Sequence, residues 1–136
     1  MRALGWALVP APFSNEFRDF VRDNIVSVEQ IAVLLLMSAD PDRVWSAQEL
    51  SRELSSSPAS VLQRVAVLAL RKLVTGNERH GFQYRADPKR DALVEELRRE
   101  FMLRPVSVIA LIFSGSTTLE SFSNAFRIWG DNDADR

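Results

Sequence analysis

VWSAQELSRELSSSPASVLQRVAVLALRKLVTGNERHGFQYR, residues 44–85, is the stretch whose reading decides the fold. Val44-Trp45 is long enough only for a bridging strand. Ser46 then opens a helix, and Glu49 three residues on completes a capping box that satisfies two orphan backbone donors. Ser55-Ser56 forms a link. Ser57 opens a second helix with Pro58 at its first position, where the missing N–H and fixed φ cost nothing. After Lys72 the pattern changes from helical to alternating. Leu73-Val74-Thr75 and Phe82-Gln83-Tyr84-Arg85 flank the segment Gly76-Asn77-Glu78-Arg79-His80-Gly81, which is a hairpin signal. Strand, helix, turn, helix and hairpin therefore follow one another within about forty residues.

Charge is distributed unevenly around this stretch. Residues 57–90 carry a net charge of +5, from Arg64, Arg71, Lys72, Arg79, Arg85, Lys89 and Arg90 against Glu78 and Asp87. Residues 1–56 and 91–136 each carry −3, which leaves the chain at −1. Positive charge gathered on one candidate helix and hairpin is an electrostatic footprint for phosphate.

The 136 residues are 46% hydrophobic and 26% charged, enough for a packed core and incompatible with global disorder. With no cysteine, disulfides, Cys-based zinc sites and thiol nucleophiles are excluded, and a cytoplasmic location is expected. The apolar run Ala3–Phe13 is broken by Gly5, Pro10 and Pro12 and is too short to span a bilayer, so no membrane association is expected. Residues 1–13 read as an irregular N-terminal arm.

Around the decisive stretch the chain reads as helical. Phe17, Phe20 and Val21 give a short amphipathic helix between Ser14 and Asn24. Ser27 caps the next helix, with Gln30 at the capping-box position. Ile31, Val33, Leu34, Leu35, Leu36 and Met37 make that helix apolar on most sides, which predicts a buried central helix. From Pro88 onward Leu93, Val94, Leu97, Phe101, Val108, Ile109 and Ile112 recur at helical spacing. They form either one helix kinked at Pro105 or two helices meeting at Arg104-Pro105. Ser114-Gly115-Ser116 breaks the pattern. Thr117 opens a final helix carrying Leu119, Phe122, Phe126 and Trp129, and an acidic tail follows from Gly130.

On a helical wheel of the second helix, Val61, Leu62, Val65, Leu68 and Ala69 share the core arc. Ser60, Gln63, Arg64, Val67 and Arg71 share the opposite arc, with Leu70 at its edge. The second helix of a helix-turn-helix enters the DNA major groove. There Gln63 matches adenine, Arg64 matches guanine, and Val67 matches a thymine methyl. Ser60 reaches a phosphate or a base. Ser57 and the helix N-terminus offer N–H groups to a phosphate. Arg79, His80 and Arg85 belong to the hairpin, where they reach the backbone or the neighbouring minor groove. The same apolar residues, Val67 and Leu70, equally suit docking on a protein. His80 is the only histidine, so no metal site is expected. Ser55-Ser56-Ser57 lacks a nucleophile elbow, and there is no G-x-x-x-x-G-K loop. Glu95, Glu96 and Glu100 beside Arg98 and Arg99 read as a solvated helix face. Neither catalysis nor a cofactor is expected.

WSAQELSREL (Trp45–Leu54), SPASVLQRV (Ser57–Val65) and the LVTGN…YR hairpin resemble the winged helix-turn-helix superfamily of bacterial transcriptional regulators, broadly MarR-type proteins. The resemblance covers about a third of the chain. It departs from the usual regulator in its slightly acidic total charge and in Ala66-Val67 and Ala69-Leu70, where polar or charged residues often stand. It implies a mainly α fold, a three-helix core plus a β-hairpin wing with additional C-terminal helices. It also implies a sequence-specific transcriptional regulator binding double-stranded DNA. The expected organisation is an arm (1–13), a winged domain (14–90), a C-terminal helical dimerisation region (91–129) and an acidic tail (130–136). Leu97, Phe101, Val108, Ile112, Phe122 and Phe126 are the expected interface of a homodimer, because large exposed apolar patches are rare on monomers. The alternative is a winged-helix module that docks a protein partner without binding DNA.

Overall fold

A computed structural model describes residues 12–113. Its elements follow the chain as α1 (Asn15–Asn24), α2 (Val28–Ser38), β1 (Val44–Trp45), α3 (Ala47–Leu54), α4 (Pro58–Leu70), β2 (Val74–Asn77), β3 (Gly81–Tyr84), α5 (Pro88–Leu103) and α6 (Pro105–Phe113). The fold is mainly helical: a winged helix with further helices after the wing. The putting-in-place of the helix starts is local. Ser14, Ser27, Ser46, Ser57 and Asp87 each accept the backbone N–H three residues on through a side-chain oxygen, at 2.9–3.1 Å. Only at Ser46 is the reciprocal bond made, from its N–H to Glu49 at 2.9 Å.

Gln30 departs from the expected capping box. Its side chain passes Ser27 and reaches the preceding turn, accepting from the Val26 N–H at 2.8 Å and donating to the Asn24 carbonyl at 2.5 Å. A fully buried amide is thereby satisfied on both ends, and it ties the turn between α1 and α2 to the first turn of α2.

The three strands form one antiparallel sheet in the order β1-β3-β2, with Trp45 opposite Phe82 and Val74 opposite Tyr84. The wing loop is shorter than the sequence suggests. Gly76 pairs with Phe82 and Asn77 with Gly81, which leaves Glu78, Arg79 and His80 as the tip. Gly76 has φ +118°, and a Cβ there would lie 2.0 Å from the Gly81 carbonyl oxygen.

α4 packs on α2 and α3, and α2 also meets β3 and α5. Between α5 and α6 the chain breaks at Arg104 (φ −147°, ψ 70°), because the residue before a proline is pushed out of the helical region. The two-helix reading of this region is the observed one. The break lets α6 fold back onto α1 and α5. Leu97, Val108 and Ile112, assigned to a dimer interface from the sequence, are therefore 0%, 0% and 4% exposed and belong to the chain's own core. Phe101 is half-buried against the same core. Phe122 and Phe126, like the arm before Pro12, the Ser114–Ser116 break and the acidic tail, lie outside the described residues.

Two arginines of α5 close the C-termini of other helices. Arg90 donates to the Arg71 and Lys72 carbonyls at the end of α4 and to Asn24 Oδ1. Arg98 donates to the Leu35 carbonyl and Ser38 Oγ at the end of α2. Cations there satisfy orphan carbonyls and complement the helix dipole.

Gly76→Ala should destabilise the fold by about 1–3 kcal/mol through forced backbone strain. Thr75→Ala on the exposed neighbouring position should cost less than about 1 kcal/mol. Denaturant midpoints of the two variants check this.

Candidate nucleic-acid interface

α4 buries Val61, Val65 and Leu68. Directly opposite, at helical spacing, run Ala59, Gln63, Ala66 and Leu70, all exposed, with Leu70 at 80%. The two flanks between these stripes differ in chemistry.

One flank is pinned. Glu29, on the first turn of α2, accepts hydrogen bonds from Ser56 Oγ, from Ser60 Oγ at 2.5 Å and from Arg64 Nε at 2.9 Å. Those donors, with the Ser56 hydroxyl foremost, then Ser60 and Arg64, hold the Glu29 carboxyl down from 4.5 to about 2 against the opposing effect of desolvation. Ser60 and Arg64, predicted to face DNA, are thus turned toward α2. The Arg64 and Glu29 side chains retain 31% and 22% exposure.

The other flank opens on an apolar cleft of about 550 Å³ between helix and wing. Leu62, Ala66, Ala69 and Leu70 line it from α4, and Gly76, Asn77, Glu78 and Phe82 from the wing.

The remaining predicted residues are spread around this frame. Ser57 is exposed, and its Oγ caps α4 by accepting the Ser60 N–H. Val67 is half-buried beside the exposed stripe, and Arg71 is exposed at the helix end. Arg79 and His80 are exposed on the wing tip, where the His80 N–H donates to Asn77 Oδ1 at 2.8 Å. Arg85 is exposed but lines a different cleft, with Pro41, Asp42, Gln83, Tyr84 and Asp91. In that cleft the Tyr84 hydroxyl donates to Asp91 Oδ1 at 2.6 Å, and burial pushes the phenol's pKa up. The structure therefore does not gather Arg64, Arg71, Arg79 and Arg85 on one face.

Residues the sequence reading passed over are Ala59 and Ala66, which share the exposed stripe with Gln63, and Glu29, which decides which face of α4 is free. The half-burial of Leu62 and Ala69 turns the exposed face by about one residue from the predicted arc. Nothing local in the sequence signals this, because Glu29 and Arg64 are 35 residues apart. Among the described residues no group of three or more His, Asp or Glu is placed to hold a metal ion. No described helix is long and apolar enough to cross a membrane.

No family model matches the chain, and no curated protein matches it. Among solved structures it is similar to a MarR family protein from Bacillus stearothermophilus, at 16% identity, with 98% of this chain and 89% of that chain covered and a TM-score of 0.44. The winged-helix assignment rests on the helices, caps and strand register described above.

Glu29→Gln should destabilise the protein by about 1.5–3 kcal/mol at neutral pH, the range for hydrogen bonds to a charged group. Because the folded carboxyl titrates near 2 instead of 4.5, its contribution is present above pH 4.5 and is lost as the pH falls toward 2. Urea unfolding across this window should show an acid limb in the wild type that is shallower in Glu29→Gln.

Proposed function

We propose that this chain is a regulator that binds double-stranded DNA through α4 and the β2–β3 wing, working as a homodimer in the cytoplasm and without catalytic activity. One observation carries the reading. α4 turns Ala59, Gln63 and Ala66 outward, followed by Leu70, with a serine-capped N-terminus at one end and Arg71 at the other. A helix of that shape fits a major groove, which is about 12 Å wide. Its N-terminus, the positive end of the helix dipole, suits phosphate. Arg79 and His80 on the wing tip and Arg71 at the helix end are the backbone contacts in this reading. Ser57 binds phosphate, Gln63 reads a base, and Val67 packs at the groove edge. Ser60 and Arg64 act indirectly by seating α4 on α2, and Arg85 stands aside from the contact face.

Pairing is assigned to the apolar face that is exposed among the described residues. Met102, Leu103, Val106 and Phe113 are 61–79% exposed. α6 carries no charged residue between Pro105 and Phe113. A contact through this face, in place of the buried Leu97, Val108 and Ile112, fits a two-fold dimer that reads paired half-sites.

The apolar cleft beside the wing favours a second reading, in which the same face docks an apolar protein segment. Duplex binding followed by fluorescence anisotropy separates the two. On a selected sequence Gln63→Ala should cost about 1–3 kcal/mol and relax specificity at one position. Arg79→Ala should weaken binding to all duplexes and reduce the salt slope by about one. Absence of wild-type binding to any duplex at low salt favours the docking module.

Val106→Asp should leave unfolding stability within about 0.5 kcal/mol of wild type, since the position is exposed. It should convert a dimer into a monomer by light scattering. A wild-type protein that is already monomeric at tens of micromolar (about the concentration of a routine measurement) removes the pairing assignment.

A further inference from the structure

We infer that α4 selects A·T pairs in the major groove and has no guanine reader. This rests on the reading of α4 as the groove-entering helix, and it deepens that reading by naming the sequence class. Three observations carry it.

The first is the removal of Arg64. It is the only charged residue between Pro58 and Leu70, and its Nε is bound to Glu29 at 2.9 Å. Guanine presents two acceptors, N7 and O6, to the major groove and is matched by Arg or Lys. The exposed stripe holds neither. Arg71 lies beyond the helix, and Arg79 and Lys72 belong to the wing side. Freeing Arg64 to read a base strips Glu29 of its one cationic partner among the described residues.

The second is the chemistry of what is left. Gln63 is the one side chain on the stripe with hydrogen-bonding groups. Its paired donor and acceptor match adenine N7 and N6. Ala59 and Ala66 lie one turn to either side of it and offer only methyl groups. Thymine is the base that offers a methyl to the major groove, so the pattern methyl, amide, methyl along the helix matches thymine, adenine, thymine steps.

The third is size. With alanines at 59 and 66, Gln63 is the one long side chain on the N-terminal part of the stripe, the part of a recognition helix that meets base edges, and Leu70, 80% exposed, stands at the far end. Val67, half-buried on the flank toward Glu29, adds a further apolar contact at the groove edge. Positive charge is left to the periphery, at Arg71 and Arg79, where it neutralises phosphates without reading sequence.

The test uses the intact wild-type chain. Duplexes are selected from a random pool at physiological ionic strength. The best sequence is then remade in two forms, one with deoxyuridine for each thymine of the half-site and one with inosine·cytosine for each A·T pair. Deoxyuridine removes only the thymine methyl. Inosine·cytosine keeps the minor groove of A·T and presents the major groove of G·C. The expected outcome is an A·T-rich half-site, about fourfold weaker binding for each contacted methyl removed, and a fall to non-specific affinity with inosine·cytosine. Selection of a guanine-centred site, or indifference to both remade duplexes, overturns the inference while leaving DNA binding in place. Failure to enrich any duplex, with no binding at low salt, overturns the inference and the DNA reading together.

Discussion

The Glu29 carboxylate, receiving Ser56, Ser60 and Arg64, is the interaction on which the rest of this molecule's surface depends. It joins the first turn of α2 to the link before α4 and to the first two turns of α4 itself. Three donors from one short stretch fix the rotation of α4 about its own axis as well as its position. Once that rotation is set, Ala59, Gln63, Ala66 and Leu70 must point away from the core, and Leu62 and Ala69 must face the wing. A partly buried ion pair of this kind contributes little net stability when its desolvation is counted, whereas removal of either partner leaves the other uncompensated. Its role here is one of orientation.

The same economy of charge recurs at the helix ends. Arg90 and Arg98 occupy the C-termini of α4 and α2, and Arg104 stacks its guanidinium 3.9 Å over the Phe13 ring while bonding Glu100 at 2.7 Å. Arg43 lies 3.5 Å over the Trp45 ring. Arginine suits these places because its planar fork can meet two carbonyls or an aromatic face at once. Two of the seven basic residues of the stretch 57–90, Arg64 and Arg90, are engaged inside the fold in this way. A charge count over a window of sequence overstates what reaches a partner, here through Arg64 and Arg90 in particular.

What was legible in the sequence was local. A serine or aspartate that accepts a bond three residues ahead is visible in the sequence itself, and so Ser14, Ser27, Ser46 and Ser57 mark the helix starts correctly. The alternation around Val74 and Phe82 announces the wing for the same reason. The misplacements lie where a distant partner decides. Gln30 has a buried turn within reach and bonds to it instead of to its own cap. Ser60 and Arg64 have Glu29, an acid on another helix that the periodicity of α4 alone does not reveal. Leu97, Val108 and Ile112 were legible as apolar, but periodicity does not say which copy of the chain covers an apolar stripe. Arg104-Pro105 decides that by letting α6 turn back on α1.

α5 connects these features mechanically. One end of it, at Arg90, holds the carbonyls at the end of α4 and the end of α1, and the middle, at Arg98, holds the Leu35 carbonyl and the Ser38 hydroxyl at the end of α2. Its buried face, Leu93, Val94 and Leu97, shares a core with Val108, Leu111 and Ile112 of α6. The exposed stripe of α4 and the exposed apolar face at Met102, Leu103 and Val106 therefore lie on parts of the molecule joined by one continuous helix. A displacement of α6 along α5 has to break close packing, which resists small continuous shifts. A displacement of α5 itself has to break hydrogen bonds at the ends of both α2 and α4. The angle between the two faces is consequently set by α5, and two copies paired through the C-terminal face would hold their two α4 helices at a separation fixed by the fold instead of by a flexible linker.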